Sequence, residues 1–122
     1  MNYNIEYIFE ENYLHAIISG NESIETSLAY WIDVIEECRL REYTFLLVEE
    51  KLEGSITKSE NYRLNQELKK LGFGKIKKVA FFDEYHEHTD MNSFGVTQLL
   101  KQGVNIMIFN SIAKAISWLN PK

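Results

Sequence analysis

The spacing of apolar side chains predicts short strands and longer helices along the chain. Apolar and polar residues alternate over Asn4–Glu10, which is typical of a strand with one buried face, and Tyr13–Ser19 is interpreted as a second strand. The short connection between them predicts a hairpin. Three further segments are almost continuously apolar, as in strands covered on both faces of a parallel sheet: Thr44–Val48, Lys78–Asp83 and Asn105–Phe109.

Helices are predicted where apolar residues recur every three or four positions. The first spans roughly Glu22–Arg39, and its inner face is predicted to carry Ile24, Leu28, Trp31, Ile32, Ile35 and Cys38. A weaker helix is predicted over Met91–Gln102. Asn110 or Ser111 would cap a final helix after the last strand.

The second helix, predicted over Lys58–Leu71, has the clearest start and stop signals. Thr57 and Glu60 form a Thr-x-x-Glu capping box, and Gly72 would end the helix. Its inner stripe is predicted to be Leu64, Leu68 and Leu71. The polar stretch before it, Glu49–Ser55, contains a glycine and is interpreted as a loop.

The order of elements is β-β-α-β-α-β-α-β-α. It predicts an α/β fold in which an N-terminal hairpin is followed by parallel βα units in one mixed five-stranded sheet, with the first strand antiparallel at an edge. The 122 residues are the size of one domain, and residues 1–122 show no linker or internal repeat. Cys38 is the sole cysteine, so no internal disulfide forms, which suits a reducing compartment.

Charge and hydropathy narrow the classes of partner. The net charge is −5, but residues 1–60 carry −9 and residues 61–122 carry +4. An acidic chain without a basic stripe lacks the charge that neutralises phosphates, so no nucleic-acid partner is predicted. No apolar run approaches the roughly 20 residues that cross a bilayer, and the first residues lack a signal-peptide pattern. We therefore expect no membrane span and a cytoplasmic location.

Several short motifs resemble those of a known family. Lys101–Asn105 contains Gly-x-Asn ahead of the last strand, and Ala115–Leu119 reads Ala-x-x-Trp-Leu in the closing helix. Ile18–Gly20 and Leu46–Glu49 add to the likeness. Over nearly its whole length the chain resembles small stand-alone bacterial proteins of the STAS class, which are SpoIIAA-like and related in fold to the anti-sigma-factor antagonists. The resemblance implies a mixed sheet with helices packed on it, and a switch module that binds partner proteins.

The resemblance also directs attention to the segment before the second helix. In the antagonist branch, a serine at the start of a helix is phosphorylated within a motif like Asp-Ser-Ser-Gly. The comparable segment here, Glu50–Thr57, has no such motif, so the phosphorylation switch is not carried over. Gly54, Ser55 and Thr57 are the candidate partner or switch loop. The start of a helix would favour a phosphate, but capping by Thr57 is the simpler interpretation.

Three other groups of residues have both a chemical and a simpler interpretation. His86 and His88 are of a residue type that binds zinc. Asp83 and Asp90 lie near them in sequence, but a solvated loop explains all four. Cys38 could be a nucleophile, yet its place on an apolar face favours a small core residue. A set of lysines could meet an anionic partner or form a solvated surface: Lys69, Lys70, Lys75, Lys77 and Lys78. We predict no catalytic residue, metal or cofactor.

The leading hypothesis is a non-enzymatic regulatory or protein-interaction module whose protein partner is unidentified. The alternative is a carrier of a small apolar or lipid-like ligand, because the chain is rich in aromatic residues, with 7 Tyr, 7 Phe and 2 Trp. An enzyme is a third hypothesis, and the groups that would then titrate near neutral pH are His15, His86, His88 and Cys38. An exposed edge strand or helix face would also permit a homodimer.

Overall fold

A computed structural model describes residues 3–71, 76–84 and 89–120, the last range without the side chains of residues 89–92. Strands and helices alternate within these residues in the predicted order. The strands are β1 (Tyr3–Phe9), β2 (Leu14–Asn21), β3 (Phe45–Glu53), β4 (Lys78–Asp83) and β5 (Ile106–Phe109). The helices are α1 (Ile24–Arg41), α2 (Lys58–Lys70), α3 (Thr89–Lys101) and α4 (Ile112–Leu119).

The strands form one mixed sheet in sequence order, β1-β2-β3-β4-β5. β1 is antiparallel to β2, with Tyr7 opposite Ala16. The other neighbours are parallel, so that Ala16 lies beside Val48 and Val48 beside Phe81. The predicted α/β class, the N-terminal hairpin and the antiparallel edge strand are therefore confirmed.

The two faces of the sheet are covered by different helices. The parallel strands follow one another across the sheet in sequence order. Because the connections between them all have the same hand, α1, α2 and α3 lie on the same face. The larger core lies there and joins strand and helix residues, among them Leu14, Ile18, Val48, Phe81, Tyr30, Val34, Leu64 and Leu68. α4 packs on the opposite face against β3, β4 and β5. The smaller core on that side consists of Tyr13, Leu47, Ala80, Ala115 and Leu119.

The helix starts follow from local hydrogen bonds. The hydroxyl of Ser23 accepts a hydrogen bond from the Thr26 N–H at 3.0 Å, which caps α1. The predicted capping box of α2 is confirmed, since Thr57 and Glu60 exchange hydrogen bonds of 3.1 Å and 2.9 Å. Gly72, the predicted stop of α2, lies outside the described residues.

The predicted end of β3 is wrong. The sequence places a loop over Glu49–Ser55, but the strand continues to Glu53. β2 pairs with β3 through to Glu53, and β4 pairs with it as far as Glu50, so the backbone is held in the sheet whatever the polarity of its side chains. The predicted loop is consequently shorter, and the residues before Gly54 belong to the sheet.

The predicted inner faces of α1 and α2 also need correction. Ile32 is 42% exposed, whereas Tyr30, for which the sequence assigns no place, is 1% exposed. Ile24, Trp31 and Cys38 are buried as predicted, and Leu28 and Ile35 pack against the core. Ser27, Tyr30 and Val34 complete the inward face of α1. Leu71 is 40% exposed because it lies after the last turn of α2, as the cap residue.

Candidate functional site

A small cavity lies among the last residues of β3 and the three helices that cover that face. Its volume is about 60 Å³. The polar side chains that line it are Glu22, Ser27, Tyr30, Glu50, Asn61 and Asn65. All except Glu22 are buried, and such a group of buried polar side chains is uncommon in a protein core. Ligands of open α/β sheets gather at the carboxyl ends of the strands, so the cavity is the candidate functional site.

Glu50 is the central acid of this cavity. Strand alternation places it on the inner face of β3 between Val48 and Leu52, and it is 3% exposed. Burial raises its pKa to about 8, and the carboxylates of Glu22 and Asp83 add to this effect. At neutral pH the carboxyl group of Glu50 is therefore largely protonated.

Tyr30 is the hydrogen-bond partner of Glu50. It projects from α1, and its hydroxyl donates to Glu50 Oε2 at 2.5 Å. Burial, followed by the nearby carboxylates of Glu50 and Glu22, raises the pKa of Tyr30 well above its usual value. The phenol therefore stays protonated and acts as a donor. By favouring the charged form of Glu50, its hydrogen bond opposes part of the rise in that carboxyl's pKa.

Glu22 connects the start of α1 to the end of β3. The hydroxyl of Ser27 donates a hydrogen bond to the Glu22 carboxylate. The Glu22 backbone N–H donates to the carbonyl of Glu53 at 2.7 Å. Together these bonds hold an acidic side chain at the wall of the cavity, close to the point where β3 ends.

Asn61 and Asn65 of α2 form the opposite wall. Asn65 Nδ2 donates to Asn61 Oδ1 at 3.0 Å and to the carbonyl of Gly95 on α3 at 3.5 Å. A Cβ atom on Gly95 would lie 3.0 Å from Asn61 Oδ1, so the glycine permits the close approach of the two helices. Among the described residues, nothing accepts a hydrogen bond from Asn61 Nδ2.

The predicted loop residues Gly54, Ser55 and Thr57 lie beside this cavity. Gly54 has a φ of 90°, which favours glycine, and a Cβ there would lie 3.9 Å from Glu22. Ser55 is exposed, whereas the next residue, Ile56, is buried and lines the cavity. The hydroxyl of Thr57 caps α2, so the capping interpretation is confirmed.

The metal hypothesis rests mostly on residues that the structure does not describe. His86, His88 and the side chain of Asp90 lie outside the described residues. Asp83 is described and is 5% exposed at the end of β4. Within residues 3–71, 76–84 and 93–120, no three His, Cys, Asp or Glu side chains are grouped so that they could hold a metal ion.

Cys38 and His15 do not belong to the cavity. Cys38 is 2% exposed in the core, and burial raises the pKa of its thiol to about 12, which confirms the interpretation as a core residue. His15 Nε2 lies 2.9 Å from Glu49 Oε1. Because Glu49 and Glu50 point to opposite faces of β3, this pair lies across the sheet from the cavity.

The predicted set of lysines is divided between different contacts. Lys70 pairs with Glu67 at 3.0 Å along α2. Lys78 Nζ donates to the carbonyl of Trp118 at 3.0 Å, where it stabilises the end of α4. Lys75 lies outside the described residues. Lys70 and Lys78 thus have roles within the fold.

Comparisons with known proteins support the fold. No protein-family model matches the chain, and no curated protein matches it. A solved structure that is similar is an uncharacterised protein of the DUF3478 family from Shewanella loihica PV-4, described as having a SpoIIAA-like fold. The two chains are 14% identical, the match covers 98% of this chain and 94% of that one, and the TM-score is 0.54. The chain therefore has a SpoIIAA-like fold, as its motifs predict.

None of the helices that the structure describes has both the length and the apolar character of a membrane span.

Proposed function

We propose that the protein is a non-enzymatic regulatory module of the STAS type, and that it binds a partner protein through the loop Glu53–Thr57. The observation that supports this is the construction of the loop. Its tip at Gly54 and Ser55 is exposed, while both ends are fixed, by Glu22 at one side and by the cap of α2 at the other. A fixed, exposed loop at the carboxyl ends of parallel strands is suited to recognition.

Two of the nucleophile and base candidates, Cys38 and His15, are placed in a way that supports a role without catalysis. A catalytic nucleophile needs an adjacent base or a lowered pKa. The thiol of Cys38 is buried and its pKa is raised, and His15 is engaged with Glu49 on the other face of the sheet. Neither residue is placed to act on a ligand held by the loop.

A site-specific cross-link tests the proposal. Replacing Ser55 with the photoreactive amino acid benzoylphenylalanine should give one defined cross-linked partner in cells that make the protein. The same replacement at Lys114, an exposed residue of α4 on the opposite face, should not give that product. The variant Ser55→Arg should lower the partner's affinity at least tenfold without changing the melting temperature. Absence of any specific adduct from position 55 would refute the proposal.

The carrier hypothesis has support from a different part of the surface. The cavity at Glu50 is far below the roughly 300–1,000 Å³ typical of small-molecule sites. A larger groove of about 450 Å³ lies at the ends of α1 and α2, and its apolar residues are Ile35, Cys38, Tyr43, Leu71 and Ile76. Native mass spectrometry of freshly purified protein tests whether it carries a lipid-like ligand. If the protein shows the unliganded mass alone, and its melting temperature does not change across a lipid panel, the carrier hypothesis is excluded.

A further inference from the structure

β1 is an edge strand whose outer side is open. Among the described strands, it pairs with β2 alone. The Glu10 N–H donates to the Tyr13 carbonyl at 3.2 Å, and hydrogen-bonded pairs alternate with unbonded pairs along an antiparallel ladder. The positions of β1 that bond to β2 are therefore Ile8, Glu6 and Asn4. The backbone N–H and C=O groups of the other four residues point to the open edge: Tyr3, Ile5, Tyr7 and Phe9.

This edge lacks the common features that protect a strand from further pairing. Such features are a short length, proline, lysine and a β-bulge. β1 has seven residues, Tyr3–Phe9, with neither proline nor lysine, and its register with β2 runs without a bulge. The opposite edge strand, β5, has only four residues. Of the two described edges, β1 is thus the one that is suited to a further strand.

A groove of about 530 Å³ lies between the open edge and α1. Two tyrosines and an isoleucine of β1 line it, together with three acids of α1: Tyr3, Ile5, Tyr7, Asp33, Glu36 and Glu37. Side chains alternate between the two faces of a sheet, so every second residue of an added strand would lie on the α1 side, in this groove.

The charges of the groove favour a basic segment. No lysine or arginine is among the described residues that line it. Asp33 accepts a hydrogen bond from the Tyr3 hydroxyl at 2.9 Å and has no cation within ion-pair distance in the described part of the chain. Glu36 and Glu37 pair with arginines of the same helix, but both pairs are solvent-exposed, and exposed pairs are weak. An incoming lysine or arginine can therefore pair with Asp33 and compete for the other two acids.

The aromatic side chains of β1 suit the same ligand. At the end of this edge, the guanidinium group of Arg41 lies 4.3 Å from the centroid of the Phe9 ring. A cation thus already lies against an aromatic ring on the side of β1 that faces α1. Tyr3 and Tyr7 carry rings on the same side, where they line the groove.

A second copy of the chain is a poor occupant of this edge because of its charge. β1 contains Glu6 and neither lysine nor arginine. In a fully overlapped antiparallel pairing of two copies, Glu6 would lie opposite its own counterpart, and like charges in that position are destabilising. The occupant that the edge and its groove favour is therefore a different protein.

We propose that β1 accepts a further strand from a partner protein, an extended segment that carries lysine or arginine at alternate positions. The open N–H and C=O groups of β1 provide the affinity, and the groove selects the basic side chains. This surface goes beyond the proposed function, because β2 separates β1 from β3, the strand that leads into the loop Glu53–Thr57.

Hydrogen exchange tests the backbone pairing, with the blocked heptapeptide Thr-Lys-Val-Lys-Val-Lys-Thr as the probe. In the free protein, nuclear magnetic resonance should show faster exchange for the amides of Ile5 and Tyr7 than for those of Glu6 and Ile8, which bond to β2. At saturating peptide, the exchange of Ile5 and Tyr7 should slow at least tenfold, and that of Glu6 and Ile8 by a smaller factor. Equal slowing at all four positions, or no slowing, would overturn the proposal.

Two matched comparisons test the role of charge. The peptide Thr-Glu-Val-Glu-Val-Glu-Thr has the same pattern with the opposite charge and should bind at least tenfold more weakly. Asp33→Lys should weaken binding of the basic peptide at least tenfold, whereas Glu25→Lys, at an exposed position of α1 away from the groove, should leave it unchanged. Circular dichroism melting curves check that both variants fold. Equal affinity for the two peptides, or equal losses in the two variants, would contradict the inference.

Sedimentation of the native protein without peptide separates a partner protein from a second copy. A monomer is expected. A dimer in which the amides of Ile5 and Tyr7 are already protected would identify a second copy as the occupant and refute a basic partner segment. None of these measurements involves the loop Glu53–Thr57, so the cross-link from position 55 tests the proposed function independently.

Discussion

The carboxyl group of Glu50 makes the stability of the fold depend on pH. Its folded pKa of about 8 lies above the ordinary value of 4.5, so the folded chain binds the proton more tightly than the unfolded chain. The stabilisation from this proton is complete below pH 4.5, declines as the pH rises, and is lost once the pH passes about 8. Native protein should therefore lose stability across this window.

Glu50→Gln should remove that loss, because glutamine stays neutral and still accepts the hydrogen bond of Tyr30. The variant's free energy of unfolding should exceed that of the native protein by on the order of 3 kcal/mol at pH 7 and equal it near pH 4. Urea denaturation from pH 4 to pH 9 measures both curves. Parallel curves would show that Glu50 does not hold a proton with a raised pKa in the folded protein.

Residue roles that depend on neighbours in sequence could be predicted, and those that depend on neighbours in space could not. The cap at Thr57 requires only Glu60 three positions later, and the position of Cys38 follows from helical spacing. The burial of Glu50 depends on β2 and β4 lying on either side of it. One signal was present in the sequence, because Val48, Glu50 and Leu52 alternate on a single face.

At the scale of one helix, the cap of α2 gives a direct prediction. Thr57→Ala should lower the free energy of unfolding by about 1 kcal/mol, because the N–H of Glu60 loses its acceptor. Thr57→Asp should retain most of the stability, since aspartate is also a good cap. Chemical denaturation of the three proteins measures the effect. A loss as large for aspartate as for alanine would contradict a capping role.

The contact between α2 and α3 gives a second prediction at this scale. Alanine normally stabilises a helix by about 1 kcal/mol relative to glycine, but at Gly95 a Cβ atom would lie 3.0 Å from Asn61 Oδ1. Gly95→Ala should therefore destabilise the native protein and stabilise the Asn61→Ala variant. A double-mutant cycle measured by thermal unfolding tests this coupling. Additive effects would mean that the two helices are not in contact at this position.

Element boundaries show the same division between local and tertiary causes. The continuous apolar run of β4 predicts its observed bounds, Lys78–Asp83. β3 extends five residues past the predicted end at Val48, to Glu53, where its side chains turn polar. The apolar pattern reports which side chains are buried, whereas the length of a strand is decided by backbone pairing with its neighbours.

At the scale of the molecule, the prediction of a single domain has a direct test. Trp31 of α1 packs in the larger core, and Trp118 of α4 packs against Phe109 on the other side of the sheet. The variants Trp31→Phe and Trp118→Phe each leave one tryptophan as a fluorescent reporter of one face. For each variant, the urea transition followed by fluorescence should coincide with the transition followed by circular dichroism. A fluorescence transition that precedes the loss of secondary structure in either variant would show that the two faces unfold separately.

The unequal covering of the two faces has a consequence for synthesis on the ribosome. α1, α2 and α3 are each made between the strands they connect, so their face of the sheet is closed as the strands are added. The opposite face, with Leu47 and Ala80, receives α4 only after β5 has emerged from the exit tunnel. In a nascent chain that ends at β5, the apolar face that α4 later covers is therefore exposed. This is the surface on which a ribosome-associated chaperone would act.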